Sequence, residues 1–322
     1  MATRQNTILA FLILFSSLAL GQKVEKIIVF KQDTYKLYNH YGQTDTSTLF
    51  YLKLVPKVKP IGCLVILPAS GELVEDVMKQ ISLHKLAVEK GFLVIFPSLN
   101  WGTNTFIEEH KFLDTVFKQV VDKYKIPKDK FILGGLSGGG MISLSYTEKA
   151  NRDSNSTFIV PKAVFALDPP LDYTHLYNHA KKDVERNFSE IAVNEGNWLM
   201  NGFIKEFGGT PGEVPSTYIK YSIYSHSEKD GGNAKYLLKT PLRIYVEPGI
   251  EWQIKNRHRD LYDSNCLDTT ALINYLQING NKKADIVVTH DKGVRLDGTK
   301  HPHSWSIMNS PDCLTWILKQ LN

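Results

Sequence analysis

Short, wholly apolar runs recur along the chain, each closed by proline or glycine and followed by a longer stretch of helical periodicity. Cys63-Leu64-Val65-Ile66-Leu67 ends at Pro68, and Phe92-Leu93-Val94-Ile95-Phe96 ends at Pro97. Runs of this length without polar alternation read as strands buried on both faces. Lys130–Leu133, Ala163–Leu167, Leu242–Val246 and Asp285–Thr289 also read as strands, and Lys26–Phe30 and Thr48–Leu54 add two at the start. Between them, Val74–Lys90 (stopped by Gly91), Phe106–Tyr124, Gly138–Ala150, Leu261–Gln277 and Pro311–Leu321 carry helical spacing. Strands alternating with helices of this size predict an α/β fold, a mostly parallel, doubly wound sheet covered on both faces. Ligands in such sheets bind at the carboxyl ends of the strands. Residues from about 171 to 240 break the rhythm with many aromatics and several glycines. So long a structureless loop is improbable, and the stretch predicts an inserted helical cap over those strand ends.

The amino terminus stands apart. Arg4 precedes an apolar run, Ile8 to Leu20, too short to span a bilayer of ~30 Å as a helix. Ala19 and Gly21 sit where a signal peptidase reads small residues, which predicts a signal peptide over residues 1–21, cut before Gln22, and a secreted or periplasmic domain over 22–322. No later run is long and apolar enough to span a membrane. The net charge of +5 is spread over 38 basic and 33 acidic residues without a block of like charge, which argues against a nucleic-acid partner. Three cysteines cannot build a disulfide framework, although one bridge, Cys266 with Cys313, is conceivable in an exported chain. Two sequons, at Asn155 and Asn187, matter only in a glycosylating host.

Chemistry concentrates after the third buried strand. Gly135-Leu136-Ser137-Gly138-Gly139 fits G-x-S-x-G between a strand and a helix, the context that makes this pentapeptide informative. A strand turning directly into a helix lifts Ser137 above the sheet, and the flanking glycines leave room for neighbouring backbone. The glycines do not make a phosphate loop: no lysine follows them, and Ser143 stands where the last glycine of G-x-G-x-x-G belongs. A serine needs a base, and His303, in His301-Pro302-His303-Ser304-Trp305 ahead of the last helix, is the candidate. His301 and His290 are the runners-up, and a metal pair of His301 and His303 has no evident third ligand. The acid that orients the imidazole is expected after Leu242–Val246, with Glu251 first, then Glu247, then Asp168 after the preceding strand. Asp260 and Asp263 suit the start of a helix. Two N–H groups must form an oxyanion hole. Gly138 supplies one. Pro68 has no N–H, so Ala69 or Ser70 supplies the other. Asn100 and Trp101, after the strand ending at Phe96, are expected at the rim of a substrate site, and His226, Asp230 and Asn233 are candidate polar contacts.

The Gly135–Gly139 elbow and the order of elements resemble the α/β-hydrolase superfamily over nearly all of the chain after residue 21. Val121–Ile126 followed by Phe131–Met141, with its Gly-Leu-Ser-x-Gly-Gly-Met run, looks like the secreted esterase and polyhydroxyalkanoate-depolymerase branch, and His303-Ser304-Trp305 is similar to a His-x-Trp ending in esterase families. Pro68-Ala69 stands here in place of a usual His-Gly. The resemblance implies a serine carboxylic-ester hydrolase with a Ser–acid–His triad, an acyl-enzyme and no cofactor; the aromatic stretch over 171–240 suggests a partly apolar or sugar-stacking substrate, a small-molecule or carbohydrate-linked ester. A serine peptidase of the same fold and a non-catalytic hydrolase-like binding module are the alternatives.

Overall fold

The computed structural model describes residues 23–39 and 48–321; the expected signal segment lies outside them. Eight strands form one sheet in the order β1-β2-β4-β3-β5-β6-β7-β8. They are β1 (Val24–Phe30), β2 (Leu49–Leu54), β3 (Gly62–Leu67), β4 (Phe92–Pro97), β5 (Phe131–Leu136), β6 (Ala163–Leu167), β7 (Leu242–Val246) and β8 (Ala284–Val288). β2 runs antiparallel to both its neighbours, and β3 to β8 are parallel. Every residue of β3, β4, β5 and β6 is buried, as their uninterrupted apolar runs require, whereas the edge strand β1 alternates exposed and half-buried positions. This is the α/β architecture read from the sequence.

The expected helix over 74–90 is two helices, α1 (Val74–Gln80) and α2 (Leu83–Glu89). Ile81 between them is extended, at φ −125° and ψ 150°. That break lets both Ile81 and Leu83 turn into the core while Ser82 stays outside. α3 (Ile107–Tyr124) and α4 (Gly138–Arg152) follow the reading closely. Between β6 and β7 the chain forms α5 (Tyr173–Arg186), α6 (Glu190–Phe207) and α7 (Pro215–Tyr221), then returns through a 3-10 turn, Gly232–Leu237. Asp172 caps α5 by accepting the Thr174 N–H at 2.8 Å. Most of the aromatic residues of this segment pack on one another: Tyr173 lies 4.9 Å from Phe203 between ring centroids, and Phe207 lies 4.9 Å from Tyr218. Their function is cohesion of the three helices.

A helix absent from the sequence reading, α8 (Ile250–Arg257), follows β7. The expected helix over 261–277 begins as a 3-10 turn, Leu261–Asp263, capped by Asp260, before α9 (Asn265–Ile278); α10 (Ser310–Leu321) closes the chain. Cys63, Cys266 and Cys313 are buried free thiols, so the conceivable Cys266–Cys313 bridge is not formed. Among the described residues no helix is long and apolar enough to cross a membrane.

Sheet register decides which residues meet at the carboxyl edge. Leu67 pairs with Gly135, Leu136 with Leu167, and Leu167 with Tyr245. The residues that follow, Pro68 to Ser70, Ser137, Asp168 and Glu247, therefore emerge side by side. Ser137 and Asp168 leave adjacent strands, about 4.8 Å apart.

Candidate active site

At the exit of β5 the Ser137 N–H still bonds the Leu167 carbonyl at 2.9 Å, while its own backbone turns to φ 54° and ψ −117° as α4 begins at Gly138. A positive φ on a non-glycine residue costs of order 1–3 kcal/mol and persists only where surrounding packing imposes it. Here the packing is visible. A Cβ on Gly135 would stand 2.6 Å from the Leu67 carbonyl oxygen, and one on Gly139 would stand 2.4 Å from that oxygen and 2.5 Å from the oxygen of Pro68. Only glycine lets the turn press against the end of β3. Ser137 is held up and partly exposed at the floor of a cavity of about 260 Å³, which His303 and Asp168 also line.

His303 Nδ1 lies 2.6 Å from Asp168 Oδ2. A carboxylate only accepts, so the proton sits on Nδ1 and Nε2 is left as the basic nitrogen. Asp168 sits at φ 43°, with its N–H on the Tyr245 carbonyl at 2.8 Å and its carbonyl taking the Asn265 side-chain amide at 2.9 Å. The backbone that carries the carboxylate is thereby fixed from both neighbouring elements.

The two glutamates ranked ahead of Asp168 stand elsewhere. Glu251 lies on the first turn of α8, its side chain 81% exposed and paired with Lys255 at 2.6 Å. The helix turns it to solvent, away from His303. Glu247 is buried, but its carboxylate accepts the Thr289 hydroxyl at 2.9 Å and the N–H groups of Lys292 at 2.9 Å and Gly293 at 3.0 Å. It anchors the loop leading to His303. Of the other histidines, His290 is exposed beside Asp291. His301 lines the cavity and accepts the His303 N–H at Nδ1, 3.1 Å away. Burial, then the charge of Arg295, lower the His301 pKa to about 3, so its ring is a neutral acceptor.

At the end of β3 the Ala69 N–H is committed to Glu72 Oε2 at 3.0 Å, so Ala69 is not free to bind an oxyanion. Ser70 is free to do so: it is exposed to the cavity, and its N lies 3.7 Å from where a Cβ on Gly138 would stand. Gly138 and Ser70 thus face one another at the rim beside Ser137. Glu72, missed in the sequence, also accepts the Trp305 indole N–H at 2.9 Å. One half-buried carboxylate thereby ties the Ser70 loop to the segment two residues beyond His303. A charged residue four positions after Pro68 was the available signal.

Asn100 lines the cavity, but both ends of its amide bond the backbone of Asn39, each at 2.8 Å. It is a loop staple, and its expected contact with substrate is not made available. Trp101 does face the cavity and stands 5.2 Å from Trp198 of α6. His226 bonds Asp268 at 3.0 Å, Asp230 accepts from Gly232, and Asn233 donates to the Lys220 and Ser222 carbonyls, so these three stabilise the cap's loops. Among the described residues no group of three or more His, Cys, Asp or Glu side chains is arranged to hold a metal ion.

No protein-family model and no curated protein matches this sequence. Solved structures do match its fold. An S-formylglutathione hydrolase from Agrobacterium tumefaciens superposes with a TM-score of 0.53 at 13% identity, over 94% of this chain and 99% of that one. Carboxyl esterase 2 from the fungus Tuber melanosporum gives 0.55 at 14% identity, over 93% and 86%. The acylaminoacyl peptidase of Pyrococcus horikoshii gives 0.52 at 15%, over 84% of this chain but only 37% of that one. The chain spans less than half the length of the peptidase chains it matches. At these identities the likeness is one of architecture, and the chain has the α/β-hydrolase fold.

Proposed function

We propose that the protein is a serine hydrolase cleaving carboxylic esters through an acyl-enzyme, with Ser137 as nucleophile, His303 as general base and Asp168 as the orienting acid. The observation that carries this reading is the 2.6 Å contact between His303 Nδ1 and Asp168, made in the cavity whose floor presents Ser137 on a strained turn. His303 Nε2 takes the Ser137 proton as Oγ attacks the ester carbonyl. Asp168 stabilises the imidazolium that forms. The N–H groups of Gly138 and Ser70 receive the oxyanion, each such donor being worth ~3 kcal/mol in the transition state. Collapse expels the alcohol, which leaves with the proton held by His303. Water, deprotonated by the same nitrogen, then attacks the acyl-serine and releases the acid and free Ser137. Small esters suit the cavity's size, and Trp101 and Trp198 give one wall an apolar face. The S-formylglutathione hydrolase and esterase chains are spanned almost whole by this one, which favours an ester over a peptide substrate.

A fluorophosphonate is expected to label the protein at Ser137, with labelling lost in Ser137→Ala and in His303→Ala. Short acyl esters are expected to be turned over and dipeptide amides not. Labelling that survives Ser137→Ala removes the assignment.

A further inference from the structure

Part of the cavity wall carries a group of arginines. Arg257 at the end of α8, Arg259 just beyond it and Arg295 all line the cavity that holds Ser137. Their partners differ. Arg259 grips Asp183 with both Nε and Nη2 and approaches Glu195 at 3.9 Å, so its charge is matched. Asp263, the other buried acid on that side, is taken by Lys182 at 2.9 Å and Arg186 at 2.7 Å. Arg257, half-buried, is held instead by neutral groups. Its Nη1 donates to the Ser189 hydroxyl at 2.8 Å, and its guanidinium lies 5.6 Å from the ring centroid of Trp252, which itself packs against His301. These contacts aim the fork without neutralising it. Burial, then the like charge of Arg259, lowers the Arg257 pKa from its ordinary value, with Glu195 and Asp183 opposing the shift and Arg295 adding to it. Converging guanidinium groups repel, and an anion seated among them relieves that repulsion.

Resting on the esterase reading, we infer that this wall is an anion subsite in which Arg257, with the exposed Arg295 adding its charge, takes a carboxylate or phosphate substituent of the substrate. The natural substrate is therefore an ester with an anionic group on its acyl or its alcohol half, rather than a neutral acyl ester. A planar fork fits both anions in bidentate fashion. The site selects by charge, in a cavity where screening is weaker than at open surface.

The test compares isosteric acid and amide pairs: monomethyl glutarate against its amide counterpart for an anion on the acyl half, and O-acetyl-γ-hydroxybutyrate against its amide for one on the alcohol half. The acetyl ester of ethylene glycol phosphate separates phosphate from carboxylate. In at least one series the anionic ester is expected to be preferred in kcat/KM by about tenfold or more, the scale of a hydrogen bond to a charged group. Arg257→Gln is expected to bring the acid-to-amide ratio near one, and Lys255→Gln, which alters the charge of α8 outside the cavity, to leave that ratio as it was. Glutarate is also titrated into Ser137→Ala, where turnover is not required. A rise in Tm with glutarate that is missing with glutaramide, and missing in Ser137→Ala/Arg257→Gln, supports the subsite even when wild-type protein proves unreactive to fluorophosphonate, an outcome that removes only the esterase reading. Ratios near one in every wild-type pair, or the absence of a glutarate-specific rise in Tm, overturn the subsite.

Discussion

Replacing Asp168 by asparagine separates orientation of the imidazole from everything else the residue does. The backbone contacts of Asp168, with Tyr245 and Asn265, do not involve its side chain. Its φ of 43° lies in the left-handed region that asparagine tolerates as well as aspartate. Asp168→Asn is thus expected to fold with a Tm close to wild type. What changes is the 2.6 Å contact to His303 Nδ1. The charge-assisted bond is lost, a contribution of ~1.5–3 kcal/mol by itself. The amide also offers an N–H to Nδ1 and thereby favours the tautomer protonated on Nε2, which cannot receive the Ser137 proton. Together these effects are expected to lower kcat by about 10⁴-fold, ~5.5 kcal/mol in the barrier. The control is Glu251→Gln. Glu251 is exposed and paired only along its own helix, so its kcat is expected to stay within about twofold of wild type. Steady-state hydrolysis of a short acyl ester, with melting curves on all three proteins, reads both. If Asp168→Asn keeps more than about a tenth of wild-type kcat, or Glu251→Gln loses as much as Asp168→Asn, the assignment of the acid is wrong.

Gly139→Ala places a methyl group 2.4 Å from one backbone oxygen and 2.5 Å from another, so the urea midpoint is expected to fall by the equivalent of at least ~2 kcal/mol with m unchanged. Ser137→Gly relieves the positive φ of the elbow and is expected to raise stability by about 1 kcal/mol while abolishing turnover; a less stable variant would show the turn to be unstrained. Glu109 is fully buried, and burial raises its pKa to about 7 from 4.5 even though it accepts the Thr103 N–H. Between those values the folded state holds the proton that the unfolded state has released, so this group's stabilisation is full below pH 4.5 and is lost as pH rises towards 7. Glu109→Gln is therefore expected to gain on wild type across that window, by roughly 3 kcal/mol at its end, in urea unfolding at a series of pH values; a difference independent of pH would refute the assignment.

The strands were legible because the central sheet is buried on both faces, and burial of that kind leaves uninterrupted apolar runs closed by proline. The elbow was legible for a related reason: only glycine fits where Gly135 and Gly139 meet the end of β3. Two helical features escaped. Ile81 is apolar and keeps the helical phase, so nothing local shows that it leaves the helix between α1 and α2. α8 was read as loop, which made Glu251 look like a loop acid within reach of His303. Its own sequence held the contrary sign, since Glu251 and Lys255 are spaced one turn apart, as in a solvent-facing helical pair. Beside it, Asp168-Pro169-Pro170 carried the opposite message: two prolines cannot continue a ladder, so the strand must end and leave the aspartate at the carboxyl edge.

That edge explains why three carboxylates were hard to rank from sequence and are easy to separate in space. Register sets Asp168 one strand from Ser137 and Glu247 two strands away. The loop that carries His303 leaves β8, the far edge of the sheet, and must reach back across β7. Glu247 lies under that path and spends its carboxylate on the loop's own Thr289, Lys292 and Gly293. Glu72 holds the same segment from the other side through Trp305 and fixes the Ser70 loop with its second contact at Ala69. With both ends of the histidine loop held by other acids, Asp168 is left with one ring nitrogen to address. A loop fixed by Glu247 and Glu72 predicts that losing Glu247 displaces the imidazole and losing Glu72 displaces both the imidazole and the Ser70 N–H, whereas losing Asp168 leaves the loop in place and removes the carboxylate that orients the ring and stabilises its charge.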